Sequence, residues 1–125
     1  MHTKKHSANG VEAAMLQYNH LIQKMDADSI SLLYTADGDL GTMANGRDSI
    51  RNFLLRFKNM HVLTQSSVPD SIQLNGDTSL QTGSYKQKVV VAPKDTVNVK
   101  GTFTAKWVWT GQSGWLIKKM ETKPL

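Results

Sequence analysis

The chain has 125 residues, a hydrophobic content of 39% and a charged content of 20%, which is typical of one globular domain with its own core. It contains no cysteine, which excludes disulfides, thiol nucleophiles and thiolate metal sites, and no apolar run near the ~20 residues of a membrane helix. The net charge of +5 invites a nucleic-acid interpretation, but the basic residues are scattered without a nucleic-acid-binding motif, so we expect no nucleic-acid partner and no membrane association.

The first nine residues, MHTKKHSAN, predict a flexible tail ahead of a single domain over residues 10–125. No apolar stretch follows these charges, so the segment is not a signal peptide as it stands. The default compartment is therefore cytoplasmic, unless a leader has been removed.

The first predicted helix begins at Gly10, where apolar residues start to recur at helical spacing. Its narrow apolar stripe consists of Val11, Ala14, Met15, Tyr18, Leu21, Ile22 and Met25. His20 falls on the opposite side of this helix.

A second, short helix is predicted in DADSISLLY, with Asp26 or Asp28 as N-cap. Its apolar side consists of Ile30, Leu33 and Tyr34. The segment TADGD ends it, since Gly38 can reverse the chain, and DLGTM follows as a short strand. ANGRDSIRNFLLRF predicts a turn and a third helix, whose buried stripe consists of Ile50, Phe53, Leu54 and Phe57.

From His61 onward, β-branched residues, Thr, Ser and Gln predict strands at about 60–74, 78–91, 97–109 and 114–123, joined by the turns LNGDT, VAPKDTV and TGQSG. Helices followed by strands predict an α+β fold, with three N-terminal helices packed in the concave face of a curved, mostly antiparallel sheet. One face of the third of these strands is expected to turn toward the helices, and it consists of Phe103, Ala105, Trp107 and Trp109.

The segments YNHLIQKMDADSISLLYTADGDL, GRDSIRNFL and GTFTAKWVWTGQSGWLIKKM, in this order, resemble the NTF2-like (cystatin-like α+β) superfamily. Within it they are most similar to the SnoaL-like and DUF4440 group of small bacterial proteins. The resemblance covers nearly the whole chain from Gly10. It implies a cone-shaped fold with a pocket between helices and sheet, and usually a homodimer formed through the sheet. The superfamily includes enzymes and non-enzymes, so the fold does not decide the function.

Ketosteroid isomerase, a member of this superfamily, is a useful template for the catalytic residues. The resemblance puts its helix tyrosine at Tyr18, its carboxylate base near Thr42 and its late-strand acid near Ala105. Both carboxylates are therefore missing, and Thr42 cannot act as a general base near neutral pH without a helper. We expect no steroid isomerase activity.

Two other chemistries of the superfamily have weaker candidates. A scytalone-dehydratase-like site needs a histidine, and only His61 is a candidate, although a lone histidine at a strand end is more often a surface residue. An epoxide-hydrolase-like Asp–Arg–Asp set would draw on Asp37, Asp39, Arg47 and Asp48, residues that are also typical of turns and helix ends. The direction of Asp39 is left open. No metal site, phosphate loop or cofactor is expected.

In the implied fold, eight residues point to one apolar pocket with a few polar groups, which is the usual form of a small-ligand site. They are Tyr18, Leu40, Thr42, Phe53, Phe57, Phe103, Ala105 and Trp107. The alternative interpretation of Tyr18 and the tryptophans is core packing. The sequence therefore predicts a binder of a small apolar or aromatic carbonyl compound, or a SnoaL-like cyclase, isomerase or dehydratase-type enzyme acting on one. The alternative is a non-catalytic dimerisation or protein-docking module.

Overall fold

A computed structural model describes residues 7–57, 61–91, 95–111 and 113–124. Within these ranges the helices are α1 (Ala8–Lys24), α2 (Ala27–Leu32) and α3 (Arg47–Leu55). The strands are β1 (Tyr34–Leu40), β2 (Ala44–Asn45), β3 (His61–Asn75), β4 (Thr78–Val91), β5 (Asp95–Trp109) and β6 (Trp115–Pro124). All six strands form one sheet in the order β2–β1–β6–β5–β4–β3, antiparallel except for the β1–β6 pair. The predicted α+β fold, with helices against a curved and mostly antiparallel sheet, is confirmed.

Helix α1 begins two residues earlier than the apolar spacing predicts. Ser7 is its N-cap, and the Ser7 hydroxyl accepts a hydrogen bond from the backbone N–H of Gly10 at 3.3 Å, satisfying one of the free donors of the first turn. Residues 7–9 therefore belong to the helix and its cap rather than to the predicted tail, and residues 1–6 lie outside the described residues. The predicted stripe is the buried side of this helix, and His20 is exposed.

The segment after α2 differs from its prediction. Asp26 caps α2 as expected, but the helix ends at Leu32 and Tyr34 starts strand β1. Gly38 lies inside that strand and does not reverse the chain: a Cβ there would sit 2.9 Å from the carbonyl oxygen of Ile117. The glycine is needed because the β6 backbone approaches so closely. The chain turns later, at residues 41–43, where Gly41 has a φ of 54°.

The four long strands match their predicted bounds closely. The β3–β4 turn is the two residues after Asn75, with Gly76 at a φ of 61°, as a tight hairpin requires. The predicted turn VAPKDTV includes residues 92–94, which lie outside the described residues. The ladders are interrupted by register shifts, two between β3 and β4 and one between β5 and β6, which are β-bulges or similar irregularities that increase the local twist.

Two glycines on the inner face of the sheet let aromatic rings lie flat against the backbone. Gly83 pairs with Phe103 and Gly101 pairs with Tyr85 across the β4–β5 ladder. A Cβ on Gly83 would meet the Phe103 ring at 2.9 Å, and one on Gly101 would meet the Tyr85 ring at 2.9 Å. Such pairs are a recognised device for bending a sheet while keeping its face covered.

The core lies between the helices and the closed end of the sheet. Its completely buried large side chains come from every layer of the fold, and they include Val11, Ile30, Tyr34, Ile50, Trp107 and Ile117. Toward the opposite end, beyond Phe103, the helices no longer cover the sheet fully. None of the described helices is long and apolar enough to cross a membrane.

Candidate functional site

A cavity of about 280 Å³ opens between the helices and the inner face of the sheet. Helices α1 and α3 form one wall, strands β3, β4 and β5 form the other, and Leu40 and Met120 close the side next to β1 and β6. A volume of this order suits a small organic molecule.

Most of the cavity surface is apolar. Three apolar side chains come from α1 and its C-cap, and further apolar groups come from α3 and the turn after it, from the turn after β1, and from the sheet. The apolar lining residues are Met15, Ile22, Met25, Leu40, Met43, Phe53, Leu54, Phe57, Val62, Val89, Val99, Phe103 and Met120. The rings of Phe53 on α3 and Phe57 just after it meet edge to face with centroids 5.2 Å apart and form a compact aromatic surface on the cavity.

The described lining residues include no carboxylate, imidazole, amine or guanidinium. Their only ionisable groups are the phenols of Tyr18 and Tyr85. Burial raises the pKa of Tyr18 to about 12, so this phenol is protonated and neutral at physiological pH. This wall can donate and accept hydrogen bonds, but it offers no group that would take a proton near neutral pH.

The Tyr18 hydroxyl lies 2.9 Å from the hydroxyl of Tyr34, and both are buried. Tyr34 does not line the cavity, and the Tyr18 oxygen is the partner of its hydroxyl among the described residues. Because a buried O–H group almost always donates, we assign Tyr34 as the donor and Tyr18 as the acceptor. In this assignment the hydrogen of Tyr18 is not used within the tyrosine pair.

A polar strip crosses the otherwise apolar wall between α1 and β3. The Gln65 amide donates to the Asn19 side-chain oxygen at 3.4 Å, and the Asn19 amide donates to the Ser67 hydroxyl at 2.8 Å. All three residues line the cavity, together with Gln87 and Thr122. The Gln65 side-chain oxygen, Oε1, is buried and has no hydrogen-bond partner in the structure.

Five of the eight predicted pocket residues line this cavity, namely Tyr18, Leu40, Phe53, Phe57 and Phe103. The other three do not. Thr42 is exposed in the turn after β1, since that strand ends at Leu40. Ala105 and Trp107 have no exposed surface and belong to the core at the closed end.

Trp107 is held there by its indole N–H, which donates to the buried Gln81 side-chain oxygen at 3.0 Å. The prediction that Trp107 lines the pocket is therefore wrong, and core packing is the correct interpretation. The cavity begins four residues earlier on the same strand, about 13 Å away at the rise of an extended chain. Trp109 packs against Trp115 at the hairpin end, with ring centroids 5.6 Å apart.

Sequence reasoning missed the polar strip. Asn19 carries a readable signal, because it lies four residues after Met15 and eight after Val11, on the same buried stripe of α1. Gln65 and Ser67 carry none, because the register shift after Val62 decides which face of β3 they occupy.

The acidic cluster and His61 are placed outside the cavity. Asp37 pairs with Lys118 at 2.5 Å and accepts from Thr35, which lowers the pKa of its carboxyl. Asp39 accepts from Asn45 at 2.7 Å, and Arg47 donates to the backbone oxygen of Tyr34 at 2.6 Å. Asp48 and His61 are exposed. No grouping of three or more metal-ligating side chains is found in the described part of the chain.

Comparison with known proteins shows which solved structures have a similar fold. No protein-family model matches the sequence, and a search of the curated proteins finds no match. Solved structures do match it over nearly the whole chain. A ketosteroid isomerase-like protein from Erwinia carotovora atroseptica has a TM-score of 0.81 at 16% identity, covering 94% of this chain and 95% of its own.

Two further structures agree. An NTF2-like protein with a cystatin-like fold from Novosphingobium aromaticivorans has a TM-score of 0.76 at 17% identity, covering 94% of this chain and 80% of its own. An NTF2-like superfamily protein from Salmonella enterica has a TM-score of 0.77 at 12% identity, covering 93% of this chain and 89% of its own.

The chain has the NTF2-like fold.

Within the NTF2-like fold, the structure shows where the three catalytic positions expected from ketosteroid isomerase lie. Tyr18 lies on the cavity, whereas the positions expected for the two carboxylates, Thr42 and Ala105, lie in an exposed turn and in the closed core. Asp39, the nearest carboxylate in sequence to the expected base, does not line the cavity. Among its described lining residues, this cavity therefore has the phenol of Tyr18 and no carboxylate base.

Proposed function

We propose that this protein binds a small, neutral, mostly apolar carbonyl compound in the cavity between its helices and sheet. The observation that carries the proposal is the Tyr18 side chain on the wall of an apolar cavity, with its hydroxyl 2.9 Å from that of Tyr34. We infer that Tyr34 donates in this pair and that the Tyr18 hydrogen is available to a ligand. A phenol donor in an apolar cavity favours a carbonyl acceptor, because that acceptor replaces the hydrogen bond that water would otherwise make.

The described cavity wall contains no charged side chain, and this supports a neutral ligand. A carboxylate or ammonium ligand would lose its hydration without gaining an opposite charge. The same wall supports binding more than proton-transfer catalysis. A SnoaL-like cyclase, isomerase or dehydratase activity would need its base to come from the substrate or from water.

The proposal is tested by blocking the cavity from one position on β5. Val99 is half-buried and lines the cavity, so Val99→Phe should fill part of it and weaken binding of acetonaphthone, an apolar aromatic ketone. We expect the dissociation constant, measured by isothermal titration calorimetry, to rise by about tenfold or more, the equivalent of about 1.4 kcal/mol.

Val97→Phe is the matched control for this experiment. Val97 lies on the same strand and the same face, two residues away, but it is 42% exposed and does not line the cavity. It should leave the dissociation constant within about twofold. Equal binding of acetonaphthone by the wild type and Val99→Phe, or no saturable binding at all, would contradict the proposed site.

A second candidate function is self-association or protein docking through the outer face of the sheet. Val68 on β3 and Leu80 on β4 point away from the helices and are 63% and 42% exposed. The same face carries small polar groups on β4 and β5 that include the paired residues Thr82 and Thr104. A sheet face of this composition, with isolated apolar groups, supports a homodimer formed sheet to sheet.

A further inference from the structure

The side-chain oxygen of Gln65, a residue of the cavity wall, is a hydrogen-bond acceptor that receives no hydrogen bond from the described residues. It is buried and has no partner, while the nitrogen of the same amide donates to Asn19. A buried acceptor without a partner is unfavourable, so a donor brought by a ligand would recover part of that free energy.

The assigned orientation of the Asn19 and Gln65 amides determines which end of the Gln65 amide is free. Ser67 accepts from the Asn19 amide nitrogen, so the Asn19 oxygen faces Gln65 and takes up the Gln65 N–H. In this arrangement the Gln65 oxygen is left without a hydrogen-bond partner among the described residues. The other unpartnered buried oxygen among the described residues, that of Ser79, belongs to no lining residue of this cavity.

We propose that the ligand carries a hydrogen-bond donor, a hydroxyl or an N–H group, that binds the Gln65 oxygen in addition to the carbonyl that binds Tyr18. This inference rests on the proposed function and narrows its ligand class to neutral hydroxylated or N–H-bearing carbonyl compounds. Tyr18 and Gln65 lie on different walls, α1 and β3, so the two groups recognise separate parts of one molecule.

The experiment compares acetonaphthone with its positional hydroxy and methoxy derivatives by isothermal titration calorimetry. The hydroxy and methoxy groups are similar in position, but only the hydroxy group can donate. In the wild type, at least one hydroxy isomer should bind about three- to tenfold more tightly than its methoxy counterpart. In Gln65→Met, which keeps the side-chain length and removes the acceptor, this preference, measured as the ratio of the two dissociation constants, should disappear.

Gln87→Met is the matched control. Gln87 lies directly opposite Gln65 in the β3–β4 ladder and lines the same cavity, but its oxygen is not a buried unpartnered acceptor. It should keep the preference for the hydroxy isomer. Loss of the preference in Gln87→Met but not in Gln65→Met would assign the recognition to Gln87 and overturn the inference.

Two other outcomes separate this inference from the proposed function. If acetonaphthone binds but every hydroxy isomer binds no better than its methoxy counterpart, the Gln65 inference is wrong and the proposed function stands. A preference for methoxy that Gln65→Met removes would mean that Gln65 presents its N–H group, and it would also overturn the inference. If no member of the series binds, both proposals fail together.

Discussion

Tyr18 belongs both to the cavity wall and to a buried hydroxyl pair, so its replacement has two separable effects. Tyr18→Phe removes the proposed donor to the ligand carbonyl and also leaves the Tyr34 hydroxyl without its acceptor. We expect acetonaphthone affinity to fall by about three- to tenfold and the free energy of unfolding to fall by about 1–3 kcal/mol, measured by calorimetry and urea denaturation.

The matched variant Tyr34→Phe distinguishes a direct role of Tyr18 from a packing role. It removes the donor to Tyr18 but keeps the Tyr18 hydroxyl on the cavity. Affinity should then stay within about twofold of the wild type. A loss of affinity as large as that of Tyr18→Phe would show that the tyrosine pair acts only through packing.

At the scale of single residues, the sequence identified the apolar part of the site better than its polar part. Leu40, Phe53 and Phe57 could be placed because large apolar side chains follow the helix and strand periods. Polar residues on a cavity wall resemble solvent-facing ones in sequence. Thr42 was placed in the pocket because strand alternation puts it on the same face as Leu40. In the structure β1 ends at Leu40 and Gly41 turns the chain, so this alternation does not continue to Thr42.

Among the elements, the β4–β5 hairpin sets the shape of the cavity through its inner-face glycines. An ideal Cβ on Gly83 would collide with the backbone oxygen of Val68 and with the Phe103 ring. Gly83→Ala should therefore lower the free energy of unfolding by about 1–3 kcal/mol in urea denaturation, because the neighbouring strand has to shift.

Ser84→Ala tests whether this effect belongs to the inner face. Ser84 is the next residue on β4 and is exposed on the opposite face of the sheet. It should change the free energy of unfolding by no more than about 0.5 kcal/mol. Comparable losses for the two variants would indicate a general alanine effect on this strand rather than a steric clash.

The boundaries of helices and strands could be predicted where local sequence determines them. The predictions were wrong where tertiary contacts determine the boundaries. The β3–β4 hairpin followed from Asn75 and Gly76, and the start of α2 from Asp26. Tyr34 fits the helical spacing from Ile30, yet it lies in a strand because it pairs in parallel with Ile117, far along the chain. The register shift after Val62 is equally invisible locally, and it decides that Gln65 faces inward.

For the whole molecule, the proposed homodimer through the outer sheet face predicts a concentration-independent mass at micromolar protein. Light scattering should give about twice the 13.9 kDa of one chain, as expected for an interface of standard size. Thr82→Arg places a long charged side chain in the middle of that face and should shift the mass toward one chain.

Thr96→Arg is the corresponding control, because Thr96 is exposed near the far end of β5, away from the centre of the sheet. It should leave the mass unchanged. A wild-type mass of one chain would exclude the dimer, and equal masses for the wild type and Thr82→Arg would place any interface elsewhere.

The strand order also has a consequence for how the protein is made. Strand β6 is synthesised last of the nine elements of the described chain, yet it lies in the middle of the sheet, between β1 and β5. The backbone N–H of Gly41 donates to Met120 and that of Ile117 donates to Leu33, so β1 has no neighbour but β2 until β6 arrives. The sheet is therefore completed only when β6 has been synthesised and joins the β2–β1 pair to strands β5, β4 and β3.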